Sequence, residues 1–169
     1  INLMREHIEP TARIHYIIEN GGDAPNIVPG FASAWYYVRD NNREKVEQHY
    51  AWIKDIAKGA ATATQTTHEI TLNTGVHESL LNRPLQEAVH RNLHYVGLPD
   101  YAEADHEFTR QLQTELGKPA LGISTEILDL PPTIEPTRGG STDVGEVSWI
   151  TPTVTFYVAS VGTGVPWHS

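Results

Sequence analysis

The sequence predicts a mixed α+β chain built in two parts, and three observations support this prediction. Residues 12–19 (ARIHYIIE) alternate apolar and polar positions with a period of two, which is typical of a strand. After Asn41, apolar positions repeat at helical spacing to about Ala63, at Val46, Tyr50, Ile53, Ala57 and Ala60. Near Leu80 the composition changes and two further amphipathic helices follow. We therefore expect a domain boundary within residues 77–82.

The first part, residues 1–79, reads helix, strand, strand, helix, strand. We predict a short helix over 1–8, a strand over 12–19, a turn over 20–26, and a second strand over 31–39 that is buried on both faces. Asn41 is predicted to cap the next helix, which runs to about Ala63, and 67–74 form a third strand. This order fits an α+β sandwich with two helices on one face of an antiparallel sheet, one leading strand short of a ferredoxin-like unit.

The second part, residues 80–169, begins with two predicted helices. The first has Leu81, Leu85 and Val96 on its apolar stripe, with Pro84 in its first turn. The second is predicted to be capped by Asp100 and to end at Gly117. Residues 118–140 are irregular, and long loops of this kind are usually functional or disordered. A short apolar helix after the glycines near 140 and an apolar strand over 153–159 complete the prediction.

Composition excludes several classes of protein. Twelve Lys and Arg against 21 Asp and Glu give a net charge of −9, which disfavours nonspecific binding to nucleic acid or to an anionic membrane. The chain has no cysteine, so disulfides and thiolate metal sites are excluded. No apolar run is long enough for a membrane helix, and the first ten residues carry charges where a signal peptide is apolar. We therefore expect a cytoplasmic protein, and its lack of an initial Met suggests a piece of a longer chain.

Nine histidines make metal ligation worth weighing at each of them. His90 and His94 stand four residues apart on a predicted helix, close enough to share a metal ion, but Arg91 replaces the glutamate of an H-E-x-x-H protease helix. A solvated face is the favoured interpretation, with a metal role as the alternative. His15 is interpreted as a sheet-surface or interface residue. The remaining internal histidines lie among polar residues and are interpreted as solvated: His7, His49, His68, His77 and His106.

Two glycine-containing segments are candidates for ligand contact. Residues 138–145 (RGGSTDVG) lack the spacing and the lysine of a P-loop, but paired glycines let a ligand approach the backbone closely. Asp143 serves simply as a helix cap in the alternative interpretation. His168 follows a predicted strand and a glycine-containing loop, where metal sites are commonly assembled. On composition alone, a histidine in a terminal tail is the stronger interpretation.

Three segments taken together resemble one enzyme family. They are residues 21–29 (GGDAPNIVP) followed by a strand ending in Arg39, the turn over 139–143 (GGSTD), and the ending 165–169 (VPWHS). Their order and spacing resemble the metal-dependent amidohydrolases that include aminoacylases, glutamate carboxypeptidases and auxin-conjugate hydrolases. The stretch 140–154 (GSTDVGEVSWITPTV) is similar to the aminobenzoyl-glutamate hydrolase branch of that family.

The resemblance implies an architecture and a chemistry. Residues 1–79 would be a ferredoxin-like lid that dimerises, and 80–169 would be the C-terminal part of a zinc-peptidase-like α/β catalytic domain. The whole enzyme would hydrolyse the amide bond of small N-acyl amino acids, with aminobenzoyl-glutamate as one candidate, and would act as a homodimer. Its divalent metal, zinc, would take most of its ligands from outside this chain. The chain alone would then be inactive and would carry no catalytic residue.

The resemblance also implies roles for individual residues. His168 would be a metal ligand, and Asn26 would contact the substrate across a dimer interface. Gly140, Thr142 and Asp143 would line the pocket near the substrate's carboxylate. Ser141 is an insertion relative to the family's plain GGTD form, so the alignment of Thr142 and Asp143 with that form is shifted. The alternative function is a non-catalytic dimerisation or binding module, with the aromatic strand over 35–37 as its apolar interface.

Overall fold

The computed structural model describes residues 1–133 and 140–166. They divide into two compact units, each with its own internal packing. The described residues of the first unit are 1–79 and 140–147, and those of the second are 80–133 and 148–166. The predicted mixed α+β class is confirmed, because a small antiparallel sheet and several helices make up the regular structure.

The first unit is built on a two-stranded antiparallel sheet and one long helix. Strand β1 is Arg13–Asn20, β2 is Ser33–Arg39, and helix α1 is Arg43–Thr64. The strands pair in a register that sets Ile14 opposite Val38, with an irregularity between Ile18 and Asn20. The alternation in the first strand and the glycine-containing turn after it therefore predicted this hairpin correctly.

Helix α1 begins and ends at residues suited to those positions. The Asn42 side chain accepts a hydrogen bond from the Lys45 N–H at 3.0 Å, satisfying one of the amides that a helix start leaves free. The helix ends at Gln65, which adopts left-handed backbone angles with φ of 55°. The cap is thus one residue later than the predicted Asn41.

One face of the sheet is covered at the end that holds Ile14, whereas Ile18 on the same face is 67% exposed. Met4, Ile14 and Ile53 form the buried core, with Tyr36 and Val38 packed partly against it. Side chains of alternate strand positions point to the opposite face, so His15, Ile17, Trp35 and Tyr37 share the other surface. All four are exposed, and we call them the outer face. The prediction that residues 31–39 are buried on both sides is therefore wrong, because one side of β2 is only partly covered and the outer face is exposed.

The second unit carries two helices. Helix α2 is Arg83–Val96 and α3 is Glu103–Glu115. The Asn82 side chain caps α2 by accepting a hydrogen bond from the Leu85 N–H at 3.0 Å, and Pro84 lies in the first turn as predicted. Helix α3 starts after Ala102 rather than Asp100, because the Asp105 carboxylate reaches back to the Ala102 N–H at 2.9 Å. The short helix α4 is Val144–Ser148, and its residues up to Val147 belong to the first unit.

Three predicted elements are absent or shortened within residues 1–133 and 140–166. The helix predicted over 1–8 is a single 3-10 turn, Met4–Glu6. Residues 67–74 and 153–159 form no strand. An apolar or alternating pattern makes a segment able to pair, but a strand exists only where a neighbour accepts its hydrogen bonds, and the described sheet has only two members. In the same portion of the chain, no helix combines the length and the apolarity needed to cross a membrane.

Candidate functional site

Asn26 lies at the surface of the turn that joins β1 to β2. Gly22 has a φ of +102°, a conformation that favours glycine, and its N–H donates to Asn20 Oδ1 at 3.1 Å. The Ile27 N–H donates to the Ala24 carbonyl at 3.1 Å, which folds the turn just after Asn26. The turn therefore has a defined local shape, and it leaves the Asn26 side chain exposed to a ligand or a partner.

The turn over 139–143 that the resemblance places at the substrate pocket, called the pocket turn below, is also at the surface in its described part, residues 140–143. Gly140, Thr142 and Asp143 are all exposed, and a Cβ atom added at Gly140 would meet nothing within 4 Å. Thr142 Oγ1 accepts from the Val144 N–H at 3.3 Å, and the Asp143 carbonyl accepts from the Glu146 N–H at 3.0 Å. Thr142, rather than Asp143, thus supplies the side-chain cap of the short helix α4. Among the described contacts, no hydrogen bond or ion pair joins Asn26 to this turn.

His77 anchors α4, which follows the pocket turn, to the first unit. Glu146 Oε1 accepts from the His77 N–H at 2.6 Å and lies 2.8 Å from the ring atom Nδ1. The hydrogen bonds with His77 lower the pKa of Glu146, because they favour its charged form. The backbone of Gly145 lies against the backbone of His77, so that a Cβ atom added at Gly145 would lie 2.2 Å from the His77 carbonyl oxygen. The sequence pattern indicated a solvated His77 and did not predict this contact. Its two residues are 69 positions apart, so no local sequence pattern indicates it.

The residue after His77, Glu78, is hydrogen-bonded to the first residue of α1. Glu78 Oε2 accepts a hydrogen bond from the Arg43 N–H at 2.8 Å, which adds an acceptor at the helix N-terminus where negative charge is favourable. A Cβ added at Gly75 would lie 2.9 Å from Arg43 Nη1. The pocket turn is therefore held by a chain of contacts that ends on the long helix of the first unit.

A buried glutamine organises the part of the second unit that precedes His168. Gln113 on α3 is fully buried; its Oε1 accepts from the Gly122 N–H at 2.8 Å, and its Nε2 donates to the Thr163 carbonyl at 2.9 Å. A Cβ added at Gly162 would lie 2.5 Å from Thr109 Cγ2, so glycine is required there. His168, predicted as the metal ligand, lies outside the described residues. The structure thus describes the base of its loop and not the ligand itself.

A second polar cluster in the first unit was also missed. His49 is buried rather than solvated, and its Nε2 lies 3.0 Å from Asp40 Oδ2 and 3.7 Å from Glu9 Oε2. Burial alone would raise the pKa of Asp40. Hydrogen bonds from the Asn41 N–H, His49 and the Thr11 hydroxyl, with the charge of Lys45, outweigh it and lower that pKa. The signal that could have found His49 is its position three residues after Val46 and four before Ile53 on one helical stripe.

Within the described ranges, two groups of side chains have the composition to hold a metal ion. One is Glu9, Asp40 and His49, and the other is His90, His94 and Asp129. Neither group contains Asn26, Gly140, Thr142 or Asp143, and those four supply no ligand set of their own. The described residues that the resemblance places at the catalytic site therefore supply no set of zinc ligands, and the location of the remaining ligands stays a prediction.

Comparison with known proteins finds a family match within the first unit. Residues 4–65, from the 3-10 turn to the end of α1, match the Peptidase dimerisation domain family. This part of the chain is therefore similar to the dimerisation domains of peptidases, consistent with the predicted ferredoxin-like lid.

Similarity to individual proteins extends beyond that domain. The chain is 29% identical to one of the subunits of the p-aminobenzoyl-glutamate hydrolase of Escherichia coli (strain K12), over 99% of this chain and 40% of that protein. It is 28% identical to the Xaa-Arg dipeptidase of Homo sapiens, over 90% of this chain and 29% of that protein, and 26% identical to its Mus musculus counterpart. These matches confirm the resemblance that the three motifs indicated. The chain spans 40% or less of the length of each of these relatives.

Proposed function

We propose that this chain is part of a metal-dependent amidohydrolase that releases an amino acid from a small N-acyl amino acid. The observation that carries the proposal is the similarity to a bacterial hydrolase over 99% of the chain, with a dimerisation domain at residues 4–65. The two kinds of relative are named for an aminobenzoyl-glutamate and for an Xaa-Arg dipeptide. Each of these compounds holds an amino acid through an amide bond, which defines the proposed substrate class.

Within that class we propose aminobenzoyl-glutamate as the first substrate to test. The reason is the stretch 140–154, whose sequence is similar to the aminobenzoyl-glutamate hydrolase branch of the family. The exposed turn at Gly140 leaves room for a ligand beside the backbone, and the Thr142 hydroxyl lies at its edge. An ionised carboxylate only accepts hydrogen bonds, so we assign the donor role toward the substrate's carboxylate to Thr142 and the backbone, with Asp143 lining the same turn.

The remaining assignments follow the same proposal. Residues 1–79 act as the lid and 80–169 as the C-terminal part of the catalytic domain. The enzyme works as a homodimer, and Asn26, exposed on the β1–β2 turn, contacts substrate bound by the other protomer. Zinc is the proposed metal, with His168 as one ligand. We propose a cytoplasmic location, which cell fractionation tests directly.

The decisive experiment measures amino-acid release by the full-length enzyme from aminobenzoyl-glutamate and from a panel of Xaa-Arg dipeptides. We expect glutamate release that is lost with a chelator and restored by zinc, and that falls in the His168→Ala and Asn26→Ala variants. Arginine release without glutamate release would reject the proposed substrate and keep the enzyme class. No metal-dependent release from any member of the panel would reject the amidohydrolase proposal.

A non-catalytic dimerisation module remains the second candidate, and the exposed aromatic outer face favours it. This candidate predicts a stable dimer together with no hydrolysis in the full-length protein. It is rejected if the full-length protein hydrolyses the panel at a rate that depends on Asn26. The 169-residue chain alone is expected to be inactive under both candidates, so it does not discriminate between them.

A further inference from the structure

The second unit places two histidines and one aspartate at the spacing of a metal site. His90 and His94 lie one turn apart on α2, and their Nε2 atoms are 3.2 Å apart. The ligand atoms of His90, His94 and Asp129 all lie within 4.8 Å of one another. In tetrahedral zinc sites with bonds of about 2.0–2.1 Å, neighbouring ligand atoms are about 3.3 Å apart. The two ring nitrogens already meet that spacing.

In the cluster of His90, His94 and Asp129, the acceptor lone pairs outnumber the hydrogens that could form hydrogen bonds between them. His90 Nε2 also lies 3.2 Å from the Leu128 carbonyl oxygen. A neutral imidazole has one N–H, and a carbonyl and a carboxylate have none. Two ring nitrogens, a carbonyl oxygen and the Asp129 carboxylate therefore converge where at most two hydrogens could lie between them. A divalent cation satisfies such a group of acceptors better than hydrogen bonds do.

The comparison with the other candidate group favours this one. In the group of Glu9, Asp40 and His49, the Lys45 ammonium lies 3.5 Å from Glu9 and supplies a competing positive charge. Asp40 there already accepts hydrogen bonds from Thr11, Asn41 and His49. Among the described residues, Asp129 takes part in no ion pair, and His94 and Asp129 are exposed, so an ion can reach them without unfolding.

We propose that His90, His94 and Asp129 form a zinc-binding site on α2, separate from the catalytic metal expected at His168. Two imidazoles and a carboxylate suit zinc, and water or the Leu128 carbonyl completes four-fold coordination. The site joins α2 to the segment 128–131, which already contacts the helix through Arg83 Nη1 and the Pro131 carbonyl at 2.6 Å. Zinc therefore fastens that segment to the helix.

The test is a zinc titration of the 169-residue chain by calorimetry in a His168→Ala background, which removes the ligand assigned to the other metal. We expect one equivalent of zinc, lost in the His90→Ala/His94→Ala variant. Asp129→Asn is expected to weaken binding by at least about tenfold, since even groups that only support a metal ligand contribute that much. His68→Ala, which removes an exposed histidine outside the cluster, is the matched control and is expected to bind as its parent does.

A second readout locates the ion. The side-chain Nε2 signals of His90 and His94 in a histidine-selective nitrogen NMR spectrum are expected to shift on zinc addition, and amide exchange near 128–131 is expected to slow. Equal stoichiometry and affinity in the parent and the His90→Ala/His94→Ala variant would overturn the proposal. Zinc shifts confined to other histidines would overturn it as well. Neither outcome bears on amide hydrolysis, so this inference and the proposed function fail independently.

Discussion

The buried carboxylate of Asp40 contacts the ring of His49 through a 3.0 Å distance between Oδ2 and Nε2. Asp40 directly follows β2, and His49 lies in the second turn of α1. The second carboxylate oxygen accepts from the Thr11 hydroxyl at 2.8 Å and from the Asn41 N–H at 2.6 Å. One carboxylate thereby joins the chain before β1, the end of β2 and the long helix.

Replacing this carboxylate is expected to destabilise the first unit. Asp40→Asn removes a charged acceptor from the buried His49 and from the exposed Thr11 and Asn41, at a cost of about 1.5–3 kcal/mol. Because the pKa of Asp40 is lowered on folding, its contribution is present above the unfolded pKa, 3.8, and is lost as the pH falls through the lower folded value. Urea unfolding at about pH 7 and about pH 3 is the measurement.

The matched control is Asp55→Asn, at an exposed position on α1. The stability difference between Asp40→Asn and the parent is expected to shrink toward acid pH, whereas the control stays near the parent throughout. A stability loss for Asp40→Asn that is the same at both pH values would contradict the role of the ionised carboxylate.

Two glycines are expected to respond to alanine in opposite directions. Gly145→Ala places a Cβ 2.2 Å from the His77 carbonyl oxygen and is expected to cost about 1–3 kcal/mol through overpacking. Gly59→Ala lies inside α1 with open space around it and is expected to stabilise by about 0.5–1 kcal/mol. Thermal unfolding of both variants checks this pair, and a neutral Gly145→Ala would show that His77 and α4 are not in close contact.

Gln113 is expected to be essential for the loop that leads toward His168. Gln113→Ala leaves the buried Gly122 N–H without its acceptor, at a cost of about 1–3 kcal/mol, and removes the donor to the carbonyl of the exposed Thr163. Gln111→Ala, an exposed change on the same helix, is the control and is expected to be nearly silent. Chemical denaturation compares the two, with amide exchange at Thr163 as a local readout. Equal stability of the two variants would be evidence against the role of Gln113.

The outer face is expected to be part of the contact in the proposed homodimer. Ile17 is 57% exposed there, and placing a lysine among Trp35 and Tyr37 buries a charge if a second copy covers them. Ile17→Lys is expected to weaken dimerisation by about 2 kcal/mol, roughly thirtyfold in the dissociation constant. Sedimentation equilibrium measures it, with Tyr95→Lys, 90% exposed and outside residues 4–65, as the control. Identical dissociation constants for both variants would remove the outer face from the interface.

The elements that the sequence predicted well are those whose signal is local. The hairpin of β1 and β2 follows from alternation and a glycine-containing turn, and α1, α2 and α3 follow from helical spacing with nearby caps. The caps lie one or two residues later than predicted, at Asn42 instead of Asn41 and at Ala102 instead of Asp100. Neighbouring polar residues compete for the same free amides at a helix start. The strands predicted over 67–74 and 153–159 failed because pairing depends on a neighbour that no local pattern specifies.

The sequence alone therefore determined the α+β class, the family resemblance and the candidate residues Asn26, Gly140, Thr142, Asp143 and His168. Only the tertiary structure decided which distant groups meet. Glu146 hydrogen-bonds to His77, and Gln113 hydrogen-bonds to Gly122 and Thr163. His49, predicted to be solvated, is buried against Asp40. Apolar spacing encodes which side of an element is buried, and it carries no information on polar partners tens of residues away. Those partners are selected by packing, because a buried polar group must find a hydrogen bond wherever the fold brings one.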